Sequence, residues 1–274
     1  MQNIEITVKL ALSEDIGEGD LTAKLIPVNS RSNASVVCRE QARLCGTAWF
    51  DEVFRQIDTG VSITWQATDG DELADDQVLC TLEGSSRSIL SGERTALNFL
   101  QTLSGTATIT RNYVKLVDSS RCVILDTRKT LPCLRSAQKY AVTCGGGKNH
   151  RMGLYDAVLL KENHILAAGS IKAALASAHQ LYTDVPIEVE VESLDELTQA
   201  IEAGATRILL DNMSLYDLST AVSLSAGRAR LEASGGVNLQ TVAAIAATGV
   251  DFISVGELTK NVQAVDLSMR FGAP

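Results

Sequence analysis

The chain has 274 residues, 45% of them apolar and 21% charged, with a formal net charge of −9. This is an ordinary soluble composition, long enough for one large domain or two modest ones. An acidic balance with no basic stripe interleaved with aromatics excludes a nucleic-acid groove, and no apolar run reaches membrane-spanning length.

Met1-Gln-Asn-Ile-Glu lacks the basic start of an export signal, so a cytoplasmic protein is expected. Cys38, Cys45, Cys80, Cys122, Cys133 and Cys144 form no C-x-x-C pair and no zinc spacing, and they read as reduced structural thiols. Residues 1–93 hold 7 basic and 16 acidic side chains. They show short strand-like alternation at Ala34–Arg39 and Val61–Trp65, with turns at Asp69-Gly-Asp. This is the pattern of an α+β module. A helix is expected from Ser91, with Ala96, Leu97, Phe99, Leu100 and Leu103 as its apolar stripe. It would carry Arg94 in its first turn, where a cation opposes the helix dipole. That leaves Arg94 either an ordinary surface residue or one aimed at an anion beyond its own helix.

Residues 126–151 gather six basic side chains (Arg128, Lys129, Arg135, Lys139, Lys148, Arg151) around a single acid, Asp126. An acidic chain that concentrates cations in this way is arranged to hold an anion. Val123–Leu125 reads as a buried strand with Asp126, Thr127, Arg128 and Lys129 at its C-terminal end, the end at which parallel α/β folds bind ligands. A helix follows, with Pro132 near its start. Gly145-Gly-Gly then frees the backbone to bring Lys148, His150 and Arg151 back to the same rim.

After residue 120 the chain repeats a short apolar strand, polar residues at its end, a helix cap and an apolar-periodic helix. Strands at 157–160, 187–191, 207–210, 231–233 and 252–255 join Val123–Leu125 to give six units, with Ser170, Ser193, Ser214 and Asn238 as caps. Such alternation predicts parallel strands with helical crossovers, closed or nearly closed into a barrel. The barrel mouth would collect Arg128, Lys129, Lys161, Glu190, Asp211, Ser234, Gly235, Gly236 and Gly256. Glu188, Glu190 and Glu192 alternate along one strand and share one side. If that side is interior, they need cationic or metal partners, for which Lys129, Lys161 or a magnesium ion shared with Asp211 qualify. Ser234-Gly-Gly before a helix start offers backbone N–H groups to a phosphate. His164 is placed near the mouth and His179 is read as structural.

Several blocks together resemble the quinolinate phosphoribosyltransferase family: Glu14–Thr22, Ser91–Leu100, Asp126–Thr130, Gly145–Asp156, Lys161–His164, Glu188–Glu192, Leu209–Met213, Glu232–Gly236 and Gly249–Gly256. Leu131 and Cys133 depart from the family's usual Thr and Gly. The resemblance implies an N-terminal α/β sandwich domain, 1–105, rejoined by a C-terminal helix at 259–274, and an incomplete TIM-like α/β barrel at 106–258. It implies transfer of phosphoribosyl from phosphoribosyl pyrophosphate to quinolinate with decarboxylation. It also implies a homodimer in which Arg94 reaches the neighbour's site. The site residues it implies are Arg94, Thr127, Arg128, His150 and Arg151 for quinolinate, and Lys129 and Lys161 for the acid and the departing pyrophosphate. Glu190 and Asp211 would hold ribose hydroxyls and Mg2+, and Ser234, Gly235, Gly236 and Gly256 the 5′-phosphate. Lys129, Lys161, Glu190 and Asp211 would be the catalytic set. Open alternatives are a phosphoribosyltransferase for another pyridine, a Schiff-base lyase using Lys161 or Lys129, and a non-catalytic barrel.

Overall fold

In a computed structural model that describes residues 4–272, the elements run α1 (Ile4–Ile16), β1 (Arg31–Cys38), β2 (Ala42–Arg43), α2 (Thr47–Ile57), β3 (Ser62–Trp65), β4 (Glu72–Leu73), β5 (Val78–Ser85) and α3 (Ser86–Val117). They continue with β6 (Val123–Leu125), α4 (Arg135–Cys144), β7 (Val158–Leu160), α5 (Glu162–Ala168), α6 (Ile171–Leu181), β8 (Ile187–Val191) and α7 (Leu194–Glu202). The chain ends in β9 (Arg207–Asp211), α8 (Leu215–Ser225), β10 (Arg230–Ser234), α9 (Val242–Ala247), β11 (Phe252–Ser254), α10 (Glu257–Lys260) and β12 (Leu267–Phe271). These residues divide into two compact units: 1–111 with 131–146 and 261–274, and 112–130 with 147–260.

The first unit carries a four-stranded sheet in the order β12-β1-β5-β3, antiparallel throughout. Val36, Cys38, Leu79, Cys80 and Leu82 face a core completed by Phe50, Phe54, Leu97 and Leu100. The C-terminal segment corrects one expectation. It returns to this unit as a strand, β12, paired with β1 from Ala34↔Phe271 to Cys38↔Leu267, and not as a helix. Residues 131–146, read from the sequence as part of the barrel, group with this first unit.

Helix α3 also differs from expectation, starting at Ser86 and not at Ser91. Gly92, just past the expected start, lies inside it. A Cβ there would come 2.6 Å from Phe54 Cε1, so glycine is what lets α3 pack this closely. Arg94 is consequently in the third turn, beyond the reach of the terminal dipole, and its side chain is exposed.

The second unit is a parallel six-stranded sheet in the order β6-β11-β10-β9-β8-β7. Val189, Val191, Ile208, Leu210, Leu231, Ala233 and Ile253 are among its buried apolar strand residues. Among the described residues β6 and β7 do not pair, so the barrel is incomplete, with its seam between its first two strands. Ser170, Ser193 and Ser214 cap α6, α7 and α8 by accepting from Ala173 N, Glu196 N and Asp217 N. Asn238 does not cap a helix. It closes a turn by accepting from Gln240 N and Thr241 N, and α9 begins only at Val242. Helix α5 was not anticipated; His164 initiates it, its Nδ1 accepting from Lys161 N at 3.0 Å.

Candidate active site

At the C-terminal ends of the second unit's strands lies a cavity of about 410 Å³, lined by Thr127, Arg128, Lys129, His150, Arg151, Lys161, Glu190, Asp211 and Ser234 with Leu159, Leu209, Glu232 and Ser254. Nine expected site residues therefore meet in one place. Each reaches it because it terminates a parallel strand or sits in the loop pinned beside β6. That loop is held by Lys148, whose N–H donates to Ile124 O (2.9 Å) and whose carbonyl accepts from Asp126 N (3.2 Å). The buried Asp126 carboxylate accepts from Asn149 Nδ2 (2.5 Å) and His150 N (2.9 Å). The acid inside the cation cluster thus fixes the loop. Arg135 and Lys139, by contrast, belong to α4 in the first unit, where Lys139 is wholly buried, and Lys148 is exposed.

The cations that line the cavity stand close together. Burial and the neighbouring Arg128 charge hold the Arg151 guanidinium below its usual value, although Asp156, Glu188 and Glu190 oppose this. Arg151 Nη1 donates to Ala157 O at 3.2 Å, which aims its plane. Lys161 forms an ion pair with Glu190, so neither is set in an apolar pocket of the kind that activates a lysine nucleophile. Lys129 is anchored through its backbone, Thr127 Oγ1 accepting from its N–H (3.1 Å) and Thr259 Oγ1 donating to its carbonyl (2.8 Å).

Asp211 Oδ2 accepts from Asn212 Nδ2 at 3.0 Å. The glycines expected to cradle a phosphate, Gly235, Gly236 and Gly256, do not themselves line this cavity, although Ser234 beside the first two does. Gly235 has φ +94°, and a Cβ on it would lie 2.1 Å from Asn212 Oδ1, so only glycine fits. A Cβ on Gly256 would approach Lys129 Cδ to 3.2 Å. The short helix after Ser234-Gly-Gly starts at Val242, six residues beyond Gly236 and three later than a cap at Asn238 implies, so no helix dipole addresses this turn. The backbone N–H groups are what it offers.

Beneath the cavity the structure shows a charged ladder that the sequence reading missed. His150 Nδ1 accepts from Arg151 N at 2.7 Å, so the ring proton is on Nε2, which donates to Glu188 Oε2 at 2.9 Å. To bond a ligand directly through a ring nitrogen, His150 would have to give up one of these partners. Arg207 bridges two strands, its Nε donating to Glu188 Oε1 (2.9 Å) and its Nη2 to Glu232 Oε2 (2.6 Å), while its guanidinium lies 4.6 Å over the Phe252 ring. Of the three glutamates on one side of β8, Glu188 is buried, Glu190 half-buried and Glu192 exposed.

Burial would raise the Glu188 carboxyl, but the hydrogen bond from His150 and the Arg207 charge outweigh it and leave it lowered. Glu232 is wholly buried, and its Oε1 has no hydrogen-bond partner among the described residues, His150 Nε2 being 3.5 Å away. Burial, reinforced by Glu188, pushes its carboxyl up to about 7. One guanidinium neutralises one carboxylate, and the second carboxylate is left to take a proton.

A raised folded-state carboxyl contributes stability that is fully present below its ordinary 4.5 and lost as pH rises through about 7. Glu232→Gln, neutral at every pH, is therefore expected to gain up to about 3 kcal/mol on the wild type between pH 5 and pH 8. Urea unfolding at the two pH values measures this, and parallel curves for the two proteins would show that Glu232 does not titrate there.

Fold and cavity define a class: an open α/β barrel whose mouth gathers clustered arginines and lysines beside two carboxylates, a lining suited to a poly-anionic substrate. Family models narrow it. The quinolinate phosphoribosyl transferase C-terminal domain matches residues 106–270 and the N-terminal domain residues 20–104. The chain is 43% identical over 257 residues to the probable nicotinate-nucleotide pyrophosphorylase [carboxylating] of Bacillus subtilis, covering 93% of this chain and 89% of the relative. It is 39% identical to the mitochondrial quinolinate phosphoribosyltransferase [decarboxylating] 2b of Nicotiana tabacum, over 98% of this chain and 82% of that one. The solved nicotinate-nucleotide pyrophosphorylase of Francisella tularensis superposes with a TM-score of 0.95 at 47% identity, covering 98% and 96% of the two chains. The chain belongs to the quinolinate phosphoribosyltransferase family.

Proposed function

We propose that the chain transfers phosphoribosyl from phosphoribosyl pyrophosphate to quinolinate with decarboxylation, giving nicotinate mononucleotide, pyrophosphate and CO2, a step of de novo NAD synthesis in the cytoplasm. The observation that carries this reading is the meeting of Arg128, Arg151, Lys129 and Lys161 with Glu190 and Asp211 around one cavity. Quinolinate is a flat ring with two adjacent carboxylates, and guanidinium forks bind carboxylate in a two-pronged geometry that ammonium cannot copy. Arg128 and Arg151 are the forks. His150 sets the backbone from which Arg151 projects, and Thr127 borders the ring.

Lys129 and Lys161 carry the compact charges suited to the departing pyrophosphate. Ser234, Gly235, Gly236 and Gly256 hold the 5′-phosphate through backbone N–H groups. Glu190 and Asp211 present hard oxygens from adjacent strands to one cavity, a donor set that fits Mg2+ as well as ribose hydroxyls. Magnesium carried with phosphoribosyl pyrophosphate would supply charge neutralisation at the diphosphate.

The pyridine nitrogen attacks the anomeric carbon as the C–O bond to pyrophosphate breaks. The chain's contribution is positioning and charge stabilisation of the leaving group. The quaternary ring nitrogen then stabilises the carbanion left when the 2-carboxylate departs as CO2, and a proton from water completes the ring C–H bond. Joint appearance of pyrophosphate and CO2 from quinolinate, phosphoribosyl pyrophosphate and Mg2+ is the expected result; release of neither overturns the assignment.

The reading extends to a homodimer in which the exposed Arg94 of one copy completes the cavity of the other. Mixing Arg94→Ala and Lys129→Ala subunits, each inactive alone, is then expected to restore about one intact site per mixed dimer. Mixed dimers that stay inactive would refute the shared site.

A further inference from the structure

We propose that Cys45 and Cys144, in the first unit, form a reversible oxidation site: a facing thiol pair that peroxide converts to a disulfide, with Cys144 as the attacking sulfur and Cys45 as the resolving one. Neither residue takes part in the reaction proposed above, and this inference does not depend on it.

The geometry is a preformed pair. Sγ of Cys45, Sγ of Cys144 and a carboxylate oxygen of Asp69 lie within 4.8 Å of one another, and both cysteines are free. The two sulfurs differ in access. Cys45 is wholly buried just before α2, whereas Cys144 is half-buried at the last position of α4. That asymmetry suits an oxidant-sensing pair: one residue partly open to solvent and one enclosed.

The surroundings favour a thiolate on the accessible sulfur. A hydrogen bond from Cys45 lowers the Cys144 thiol; burial and Asp69 oppose this, and Tyr140 and Arg43 reinforce it. Cys45 moves up correspondingly, chiefly because its proton is held by Cys144. The buried Cys38, Cys80 and Cys122 all move up through burial and are inert by comparison.

The same three donors could suggest a metal, but Asp69 is already committed. Its Oδ1 accepts from Gly46 N (3.0 Å) and Thr47 N (3.1 Å) at the start of α2, and its Oδ2 accepts from the Tyr140 hydroxyl (2.9 Å). With the third ligand used as a helix cap, the two sulfurs are left to each other.

The chemistry balances. The Cys144 thiolate attacks one peroxide oxygen, the O–O bond breaks, and the departing hydroxide takes up the proton that Cys144 had lost. The Cys45 sulfur then attacks the Cys144 sulfenic acid. The S–O bond breaks, and the leaving hydroxide carries off the Cys45 proton as water. One peroxide is reduced to two waters as two thiols are oxidised to one disulfide. The bond would tie α4 to the β2–α2 connection, in the segment that leaves the catalytic unit after Thr130 and returns to it at Gly147.

The test treats the folded full-length chain with hydrogen peroxide, alkylates the remaining thiols under denaturing conditions, and maps non-reduced peptides by mass spectrometry. The expected result is a Cys45–Cys144 linked peptide that dithiothreitol reverses, with both thiols lost from alkylation in parallel while the exposed Cys133 stays alkylatable. In Cys45→Ser a sulfenic-acid probe should label Cys144. A Cys45 and Cys144 pair that remains fully alkylatable, or a disulfide involving Cys133 in its place, overturns the proposal.

Discussion

Arg207→Met is expected to destabilise the barrel unit by about 3–5 kcal/mol at pH 8, the cost of leaving buried carboxylates without their cation. Arg207 holds Glu188 and Glu232 at 2.9 and 2.6 Å, and the Glu232 side chain is fully out of solvent. Methionine fills a similar volume and can still lie on Phe252, so the loss reads charge more than packing. Two further measurements separate this account from a packing defect. At pH 5 the deficit should shrink, because Glu232, already pushed up to about 7, takes a proton once its guanidinium is gone. Adding Glu232→Gln to Arg207→Met should recover part of the loss at pH 8, since the second mutation removes the charge the first one stranded. A deficit below about 1 kcal/mol, or one that is the same at both pH values, would mean the ladder is hydrated enough to screen itself.

That ladder marks where sequence reading stops. Parallel strands, their caps and the convergence of strand ends are local properties. Ser170, Ser193 and Ser214 could be recognised as caps because each is followed by its own apolar-periodic helix. Thr127, Arg128, Lys129, Lys161, Glu190, Asp211 and Ser234 could be placed because a barrel sends every strand end to one mouth. Arg207 and Glu232 offered no such signal. Each is a charged residue within or beside an apolar strand, and what joins them is register: Arg207 pairs with Arg230 and Leu209 with Glu232, which sets Glu188, Arg207 and Glu232 on consecutive strands.

The alternation of Glu188, Glu190 and Glu192 did predict a demand for cations, but the partners expected for the three were Lys129, Lys161 or a magnesium ion shared with Asp211. Lys161 satisfies Glu190, and it is Arg207 and His150 that serve Glu188.

The C-terminal strand was misread for a different reason. Leu267, Met269 and Phe271 alternate with polar residues, a legible strand signal, yet five residues without a hairpin partner in sequence do not announce a pairing with β1 more than 200 positions earlier. Helix α3 begins five residues before the expected Ser91, and Gly92 inside it admits the Phe54 ring.

The second large effect is catalytic. Arg128→Ala is expected to lower kcat/KM for quinolinate by about 2–5 kcal/mol, roughly 30- to 5,000-fold, if its guanidinium grips a carboxylate in a partly desolvated cavity. Stability should respond quite differently. Arg128 and Arg151 crowd each other in the free protein, enough to hold Arg151 below its usual value along with burial. Removing one relieves repulsion, so the unfolding free energy is not expected to fall by more than about 1 kcal/mol.

This opposition of stability and function is what an anion site should show, because like charges are held together at a cost that the substrate's carboxylates offset on binding. Arg128→Lys discriminates further. It keeps the charge but not the planar fork, and should recover only a small part of the lost activity. Full recovery by lysine would mean that Arg128 acts as a point charge, and the two-pronged grip on the ring carboxylate would then have to be assigned to Arg151 alone.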